Sequence, residues 1–264
     1  MEDNKYIEVN KSLWNGKTEI HIKSDFYDVD SFKKGKSSLN HVELEGLGDV
    51  KGKSLLHLQC HFGLDSLSWS RLGAKVTGID LSDKAIDTAK QLNDELGLDA
   101  KFICSDLYSS PEVLSEKFDI VFTSYGTIGW LPDLNKWAEV ISHFLKPGGI
   151  FFMADFHPFM WLFDKNYEKI IYPYFNLGAI VEENQGTYAK WEADFRHKSY
   201  EWNHSLSDLI SSILKQKFTV ESFKEYPYCF HDCFNKAEQG KNGFWHIKGY
   251  EGMIPMMYSI KAIK

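Results

Sequence analysis

Short apolar runs alternate with helical patterns along the first 156 residues, which predicts an α/β fold. Apolar runs at 55–58 and 74–79 flank a helical pattern at 64–72. Further runs follow at 100–104, 118–123 and 150–154, with helical patterns at 85–96 and 133–145 among them. Such runs are typical of buried parallel strands, which need crossover helices. The pattern therefore predicts a Rossmann-like, mostly parallel sheet with helices on both faces.

The pattern changes after residue 156. Residues 167–200 alternate in places and are broken by Gly178 and Gly186, which predicts an antiparallel insertion after strand five. An amphipathic helix at 205–214 and strands at 217–223 and 256–262 complete a seven-stranded sheet. We therefore predict an N-terminal cap or arm at 1–50, a core at 51–156, a substrate-side insertion at 157–203, and a C-terminal part of the same domain at 204–264.

The first 50 residues have two interpretations. They carry Trp14, His21, Phe26 and Tyr27, and residues 39–47 have helical spacing. Aromatic residues placed before a nucleotide fold suit a lid over the site, but they suit a simple packing arm equally well.

The turn after the first strand predicts a nucleotide site. It reads Gln59-Cys-His-Phe-Gly63, and an acid, Asp80, ends the next strand 21 residues after Gln59. A helix N-terminus offers free N–H groups, and such an acid can accept hydrogen bonds from ribose hydroxyls. The Cβ atoms of Gln59 and His61 would hinder a pyrophosphate, whereas adenosine joined to an amino-acid tail demands less of the turn.

This stretch resembles the first motif of the class I S-adenosylmethionine-dependent methyltransferases, of the bacterial small-molecule type. The order of helix, Leu145-Lys-Pro-Gly-Gly149 and strand is similar as well, and the resemblance is good over residues 40–156. It implies a sheet whose last strand is antiparallel, S-adenosyl-L-methionine as cofactor, and methyl transfer as the activity. The chain departs from the family pattern at His57, where the family has an acid, and at Gln59 and His61, where it has glycines.

The resemblance also implies which residues bind the cofactor. Asp106 matches the position of an acid that accepts from the adenine amino group, although capping the next turn is an alternative role. The cofactor-binding residues predicted in this way are Gln59, Cys60, His61, Gly63, Asp80, Leu81, Ser105, Asp106, Leu107, Ser124 and Tyr125.

Methyl transfer by in-line displacement requires alignment and exclusion of water, and a base only if the acceptor must lose a proton. His157, after the fifth strand, and His204, at the start of the late helix, are the candidate bases, and structural roles are equally plausible for both. Tyr125 is a further catalytic candidate because an aromatic face can stabilise a sulfonium. Thr123-Ser-Tyr-Gly126 lacks the Asn/Asp-Pro-Pro-Tyr motif of enzymes that methylate base or glutamine amide nitrogens. A small organic acceptor is therefore expected.

The composition of the chain argues against several kinds of binding partner. The net charge of −7, without a Lys/Arg block, argues against nucleic acid. No run of 18 apolar residues occurs, so no membrane association is expected. Four cysteines in 264 residues suggest reduced thiols in a cytoplasmic protein. A monomer or homodimer is expected. Cys229-Phe-His-Asp-Cys233 lacks paired metal-ligand spacing, so no metal is expected.

Two other functions stay open at this point. One is a nicotinamide-dependent oxidoreductase with a degenerate turn, and the other is a cofactor-binding protein without turnover. Ligand binding separates the first from a methyltransferase, and turnover separates the second, because a fold alone does not fix function.

Overall fold

A seven-stranded sheet organises the chain. The computed structural model describes residues 5–232, 234 and 236–264. The helices are α1 Lys5–His21, α2 Val29–Lys33, α3 His41–Leu47, α4 Leu64–Arg71, α5 Asp83–Glu95, α6 Ser110–Val113, α7 Leu134–Phe144 and α8 Leu206–Lys215. The strands are β1 Ser54–Leu58, β2 Lys75–Asp80, β3 Lys101–Cys104, β4 Phe118–Ser124, β5 Leu145–Phe156, β6 Ile180–Gln185, β7 Arg196–Glu201, β8 Thr219–Tyr226, β9 Ala237–Gln239, β10 Trp245–Ile247 and β11 Met257–Ile263.

The sheet has the order β3-β2-β1-β4-β5-β11-β8. Strands β1 to β5 are parallel, and β11 runs antiparallel between β5 and β8. This arrangement confirms the predicted Rossmann-like sheet with an antiparallel last strand. Strand β5 begins at Leu145 rather than at residue 150, because Leu145 pairs with Phe118 and the register then shifts. The segment Lys-Pro-Gly-Gly therefore enters the strand, where the sequence predicted a helix end.

Apolar side chains cover both faces of the sheet. One core packs the first strands against α3, α4 and α5 and contains the buried Trp69. The other packs them against α7 and α8 and contains the buried Trp137. The helices begin where the sequence offers a cap: Ser82 accepts from Ala85, Asp133 caps α7, and Ser205 forms a capping box with Asp208.

The predicted antiparallel insertion is confirmed, since β6 pairs antiparallel with β7. Helix α1, which the sequence pattern did not predict, packs against β7 and α5. The Asn10 side chain accepts from the backbone N–H of Tyr200 at 3.0 Å and donates to its carbonyl at 2.8 Å. Asn15 accepts from the Ser82 hydroxyl at 2.6 Å. These contacts place α1 over the carboxyl ends of the strands.

A short hairpin of β9 and β10 lies near the end of the chain. The sulfur of Cys229 is buried there and lies 3.2 Å from the carbonyl oxygen of His231. Cys233, from the same sequence cluster, lies outside the described residues. Within the described ranges, no helix combines the length and apolar character needed to cross a membrane.

Candidate active site

A cavity of about 1040 Å³ opens at the carboxyl ends of β1 to β4. This edge is where parallel α/β sheets bind ligands. All the residues predicted to bind the cofactor line it, together with side chains from α1 and from the insertion. The structure therefore gathers the predicted set in one place and encloses it with two segments outside the sheet.

The turn after β1 holds an unusual backbone. Gln59, His61 and Gly63 have φ of 55°, 50° and 82°, all in the left-handed region. For residues other than glycine this conformation costs about 1–2 kcal/mol. The Gln59 side chain donates to the Thr127 carbonyl at 2.9 Å and so ties the turn to the segment after β4. Backbone strain of this kind is found mainly at functional sites.

Asp80 links that turn to the end of β2. Its Oδ2 accepts from the backbone N–H of His61 at 2.7 Å, and its Oδ1 accepts from that of Ser82 at 2.9 Å. Burial raises the pKa of Asp80 to about 6, against the opposing effect of these N–H donors. Each carboxylate oxygen has a second lone pair, so the group can accept a pair of ligand hydroxyls without releasing the turn.

A second acidic region lies beside the turn. Asp65 lines the cavity and accepts from the Ser38 hydroxyl at 2.6 Å and the Ser124 hydroxyl at 2.9 Å. Glu43 is fully buried behind it, and burial together with the Asp65 charge raises the pKa of Glu43 to about 7. Within the described part of the chain, neither acid forms an ion pair. The Asp65 end of the cavity therefore suits a cationic group.

Helix α1 touches the turn directly. His21 Nδ1 lies 3.0 Å from His61 Nε2, and burial lowers the pKa of His21 to about 2 and that of His61 to about 3. Both rings are therefore neutral at neutral pH, and one donates to the other. Their outer nitrogens, His21 Nε2 and His61 Nδ1, are buried without a partner among the described residues. The pair thus offers one N–H donor and one acceptor nitrogen.

Aromatic rings extend this cover. The Trp14 ring lies edge-on to His61 at 5.2 Å and to Trp130 at 5.1 Å between centroids. The hydroxyls of Tyr27 and Tyr188 lie 2.5 Å apart, which joins the N-terminal segment to the insertion. The N-terminal segment, which was predicted as a possible lid, and the substrate-side insertion therefore meet at the cavity.

The segment after β3 supplies the other side. Asp106 Oδ1 accepts from the backbone N–H groups of Tyr108 at 2.9 Å and Ser109 at 3.3 Å, so the capping role is present. Asp106 also lines the cavity with Ser105 and Leu107, so the adenine role stays a prediction.

His157 is the predicted catalytic residue that the structure keeps out of the cavity lining. Its Nδ1 accepts from the Phe159 N–H at 3.1 Å, and its Nε2 donates to Glu225 at 2.9 Å. With both nitrogens engaged and the ring facing β8, His157 serves as a cap. The end of β5 turns its side chain toward the neighbouring strands, and a catalytic role for His157 stays a prediction.

His204 and Tyr125 do line the cavity. His204 Nε2 donates to the Leu131 carbonyl at 2.7 Å, which leaves Nδ1 as the acceptor nitrogen, 3.5 Å from the Asn176 amide nitrogen. Burial lowers the pKa of His204, so the ring is neutral. The geometry therefore favours His204 over His157 as the base.

Lys17 and Asp65 both line the cavity, and neither was predicted from the sequence. A signal for Lys17 was present, since Trp14, Lys17 and His21 follow at helical spacing and share one face of α1. Asp65 lies two residues after the only glycine of the turn, in the first turn of α4.

Comparison with known proteins identifies similar sequences for part of the chain. Residues 55–149 match the family model described as a methyltransferase domain. A ubiquinone biosynthesis O-methyltransferase of Coxiella burnetii (strain Dugway 5J108-111) is 32% identical over 108 residues, 40% of this chain and 44% of that protein. The chain therefore spans less than half the length of this curated relative.

Solved structures share the fold over most of the chain. An S-adenosylmethionine dependent methyltransferase from Mesorhizobium loti superposes with a TM-score of 0.59 at 17% identity, covering 88% of this chain and 100% of that one. Geranyl diphosphate C-methyltransferase from Streptomyces coelicolor A3(2), in complex with Mg²⁺, geranyl diphosphate and S-adenosyl-L-homocysteine, gives a TM-score of 0.56 at 15% identity, covering 84% of this chain and 77% of that one.

Proposed function

We propose that this chain, which has the class I S-adenosylmethionine-dependent methyltransferase fold and a methyltransferase domain at residues 55–149, transfers a methyl group from S-adenosylmethionine to a small organic molecule. The observation that carries the proposal is Asp80, held at the end of β2 by two backbone N–H groups and facing the covered cavity. The similar proteins are methyltransferases, which indicates the reaction class. The cavity beside Asp80 is the proposed location of the reaction.

The residues present fit the cofactor. Asp80 suits the ribose hydroxyls, and Asp106 suits the adenine amino group. Asp65, which forms no ion pair with a described residue, suits the ammonium of the methionine tail. The buried Gln59 Oε1, an acceptor without a partner among the described residues, is a further polar contact within the turn. The cofactor has no phosphate, so the side chains of Gln59 and His61 are no obstacle to it.

The chain's own residues serve alignment, exclusion of water and proton transfer. The bound cofactor supplies an activated methyl group on a sulfonium. The Trp14, Trp130 and Tyr188 rings exclude water above the turn, and alignment in a dry site lowers the barrier. The Tyr125 ring forms part of the wall. For an acceptor with an O–H group, His204 Nδ1 accepts the proton.

The structure supports the alternatives less well. A dinucleotide needs its pyrophosphate against the turn, where Gln59 and His61 carry side chains in the left-handed conformation. A binding protein without turnover remains the competing interpretation, and an activity measurement decides it. The cytoplasmic location, the absence of a nucleic acid partner and the monomer or homodimer state stay predictions.

Calorimetry with S-adenosylhomocysteine tests the cofactor site. Asp80→Ala and Asp80→Asn should each weaken binding at least tenfold, because charge-assisted hydrogen bonds of about 1.5–3 kcal/mol each are lost. The matched control is Asp83→Asn, an exposed acid near the start of the next helix, which should leave the affinity unchanged. Equal affinity for Asp80→Asn and wild type would contradict the assignment.

Turnover is tested by mass-spectrometric detection of S-adenosylhomocysteine formed with a panel of small hydroxylated and carboxylated acceptors. Formation that depends on one acceptor supports the enzyme. Binding of nicotinamide dinucleotides, with none of S-adenosylhomocysteine, would overturn the proposal in favour of an oxidoreductase.

A further inference from the structure

Lys17 occupies an unusual position for a lysine. It lies on the cavity side of α1 with an exposed fraction of 7%. Its ammonium nitrogen is 4.6 Å from the ring centroid of Trp14, 4.9 Å from that of Trp130 and 5.7 Å from that of Tyr188. We call these three residues the ring cluster. They come from three separate segments, so the fold assembles the ring cluster around this one side chain.

The Lys17 ammonium forms no ion pair with any carboxylate in the described part of the chain. Glu201, which also lines the cavity, acts on it through space. Burial lowers the pKa of Lys17 to about 8, which leaves it mostly charged at neutral pH. Its other titratable neighbours, His21, His61 and His197, have pKa values lowered by burial and are neutral there.

Cation–π contacts offset part of the cost of this burial. They do not satisfy the N–H donors of the ammonium, which need oxygen acceptors. Buried charges are normally paired, and removing one partner of such a pair is expensive. An unpaired ammonium at the wall of a large ligand cavity therefore indicates that the missing anion belongs to a ligand.

We infer that Lys17 binds an oxyanion, most simply a carboxylate, of the methyl acceptor, and that the ring cluster packs against a flat apolar body attached to it. The acceptor class is then a small aromatic or similarly planar organic acid. The inference rests on the proposed function, because it assigns the acceptor side of the same cavity. Asp65 and Asp80 lie at the turn and Lys17 lies on α1, so the two acids and the ammonium occupy different parts of the cavity wall.

The position of Lys17 also places the acceptor. Trp14 contacts both the ammonium and the His61 ring, so the ring cluster adjoins the turn. Trp130 of the ring cluster lies in the segment after β4, and Tyr125 and His204 line the same cavity. Recognition of a charged group there gives selectivity, because a neutral analogue leaves the ammonium unpaired.

Tryptophan fluorescence tests the inference, since Trp14 and Trp130 flank the ammonium directly. The full chain, saturated with S-adenosylhomocysteine, is titrated with benzoate, phenylacetate and cinnamate and, in parallel, with the corresponding neutral amides. Wild type should show saturable quenching by at least one acid, with the matching amide binding at least tenfold more weakly. Lys17→Met should abolish this preference, and Lys17→Arg should retain it. The control Lys11→Met, at a half-buried position of the same helix that pairs with Asp83 and does not line the cavity, should behave as wild type.

Equal binding of acids and amides to wild type would overturn the inference, and so would the absence of saturable quenching by every acid. An acid preference that survives in Lys17→Met would also overturn it. Calorimetry with S-adenosylhomocysteine is read separately. If that ligand does not bind, the proposed function fails, whereas normal binding without an acid preference defeats only the assignment of Lys17.

Discussion

Five residues other than glycine adopt the left-handed conformation at the wall of the cavity. They are Gln59 and His61 in the turn, Tyr125 after β4, and Asp28 and Tyr167 in segments outside the sheet, with φ of 55°, 50°, 41°, 42° and 56°. The family pattern has glycine at the first two positions, so this chain keeps the backbone conformation and replaces the residue. The side chains gained by this replacement contact Thr127 and His21, and thus connect the turn to its surroundings.

Because the backbone at Gln59 is strained, we expect glycine there to give a more stable protein than alanine, the reverse of the usual order. Gln59→Ala and Gln59→Gly both lose the bond to Thr127, but only alanine keeps a Cβ in the left-handed region. We expect the glycine variant to be the more stable, by about 1 kcal/mol in the free energy of unfolding by urea. The control is Lys90, which is exposed on α5. There the glycine variant should be less stable than the alanine variant by a similar amount. If the glycine variant were less stable than the alanine variant at both positions, the backbone at Gln59 would not be strained.

Glu43 makes stability depend on pH. Its pKa is raised from 4.5 to about 7 by burial, so its stabilising contribution is complete below pH 4.5 and is lost as the pH rises through 7. Glu43→Gln stays neutral throughout. Its free energy of unfolding, relative to wild type, should therefore rise on the order of 3 kcal/mol from about pH 4.5 to about pH 8.

Urea unfolding at several pH values measures this difference. Glu45→Gln, an exposed position on the same helix, should show almost no such trend. A difference between Glu43→Gln and wild type that stays constant with pH would mean that the carboxyl group titrates normally in the fold.

Helix α1 shows why an element can escape a sequence pattern. Its buried face is made of Asn10, Leu13, Lys17, Thr18 and His21, so four of its five buried positions are polar. Hydrophobic periodicity detects helices that bury apolar residues. This helix buries hydrogen-bonding and charged groups, which face a ligand cavity. Because these polar groups replace apolar ones on its buried face, α1 has no hydrophobic periodicity that would predict it.

The attachment of α1 to the insertion is testable by hydrogen exchange. Asn10→Ala removes both bonds to the backbone of Tyr200, so exchange should accelerate in residues 5–21 and 196–201 while the central sheet stays protected. In wild type, S-adenosylhomocysteine together with a bound acid should slow exchange in these two segments. Asn135→Ala, which removes a surface contact with Lys215, is the control and should change neither segment. Unchanged exchange in Asn10→Ala would show that the two segments are not coupled through this residue.

At the scale of the whole molecule, the apolar pattern of the sequence was sufficient to predict the strands of the central sheet and their order along the chain. The strands agree with the structure within a few residues except at β5, and the cavity edge follows from strand order, because parallel strands end together. The orientation of His157 could not be predicted, since it depends on Glu225 of a strand distant in sequence. The environment of Glu43 was likewise hidden, because it comes from tertiary contacts. For Lys17, the helical spacing from Trp14 was readable in the sequence, but the contacts with Trp130 and Tyr188 join segments that no local pattern relates.

The contact between His21 and His61 has a consequence for the timing of a catalytic cycle. The turn that must receive the cofactor also supports the helix that closes the cavity. Under the proposed function, spent cofactor leaves after every transfer, and its release past α1 would require this contact to break. The opening frequency of α1 would then set an upper limit on the number of turnovers per second, however fast the methyl-transfer step is. A stronger contact between α1 and the turn would lengthen the residence time of the product, and a weaker contact would admit water to the cavity.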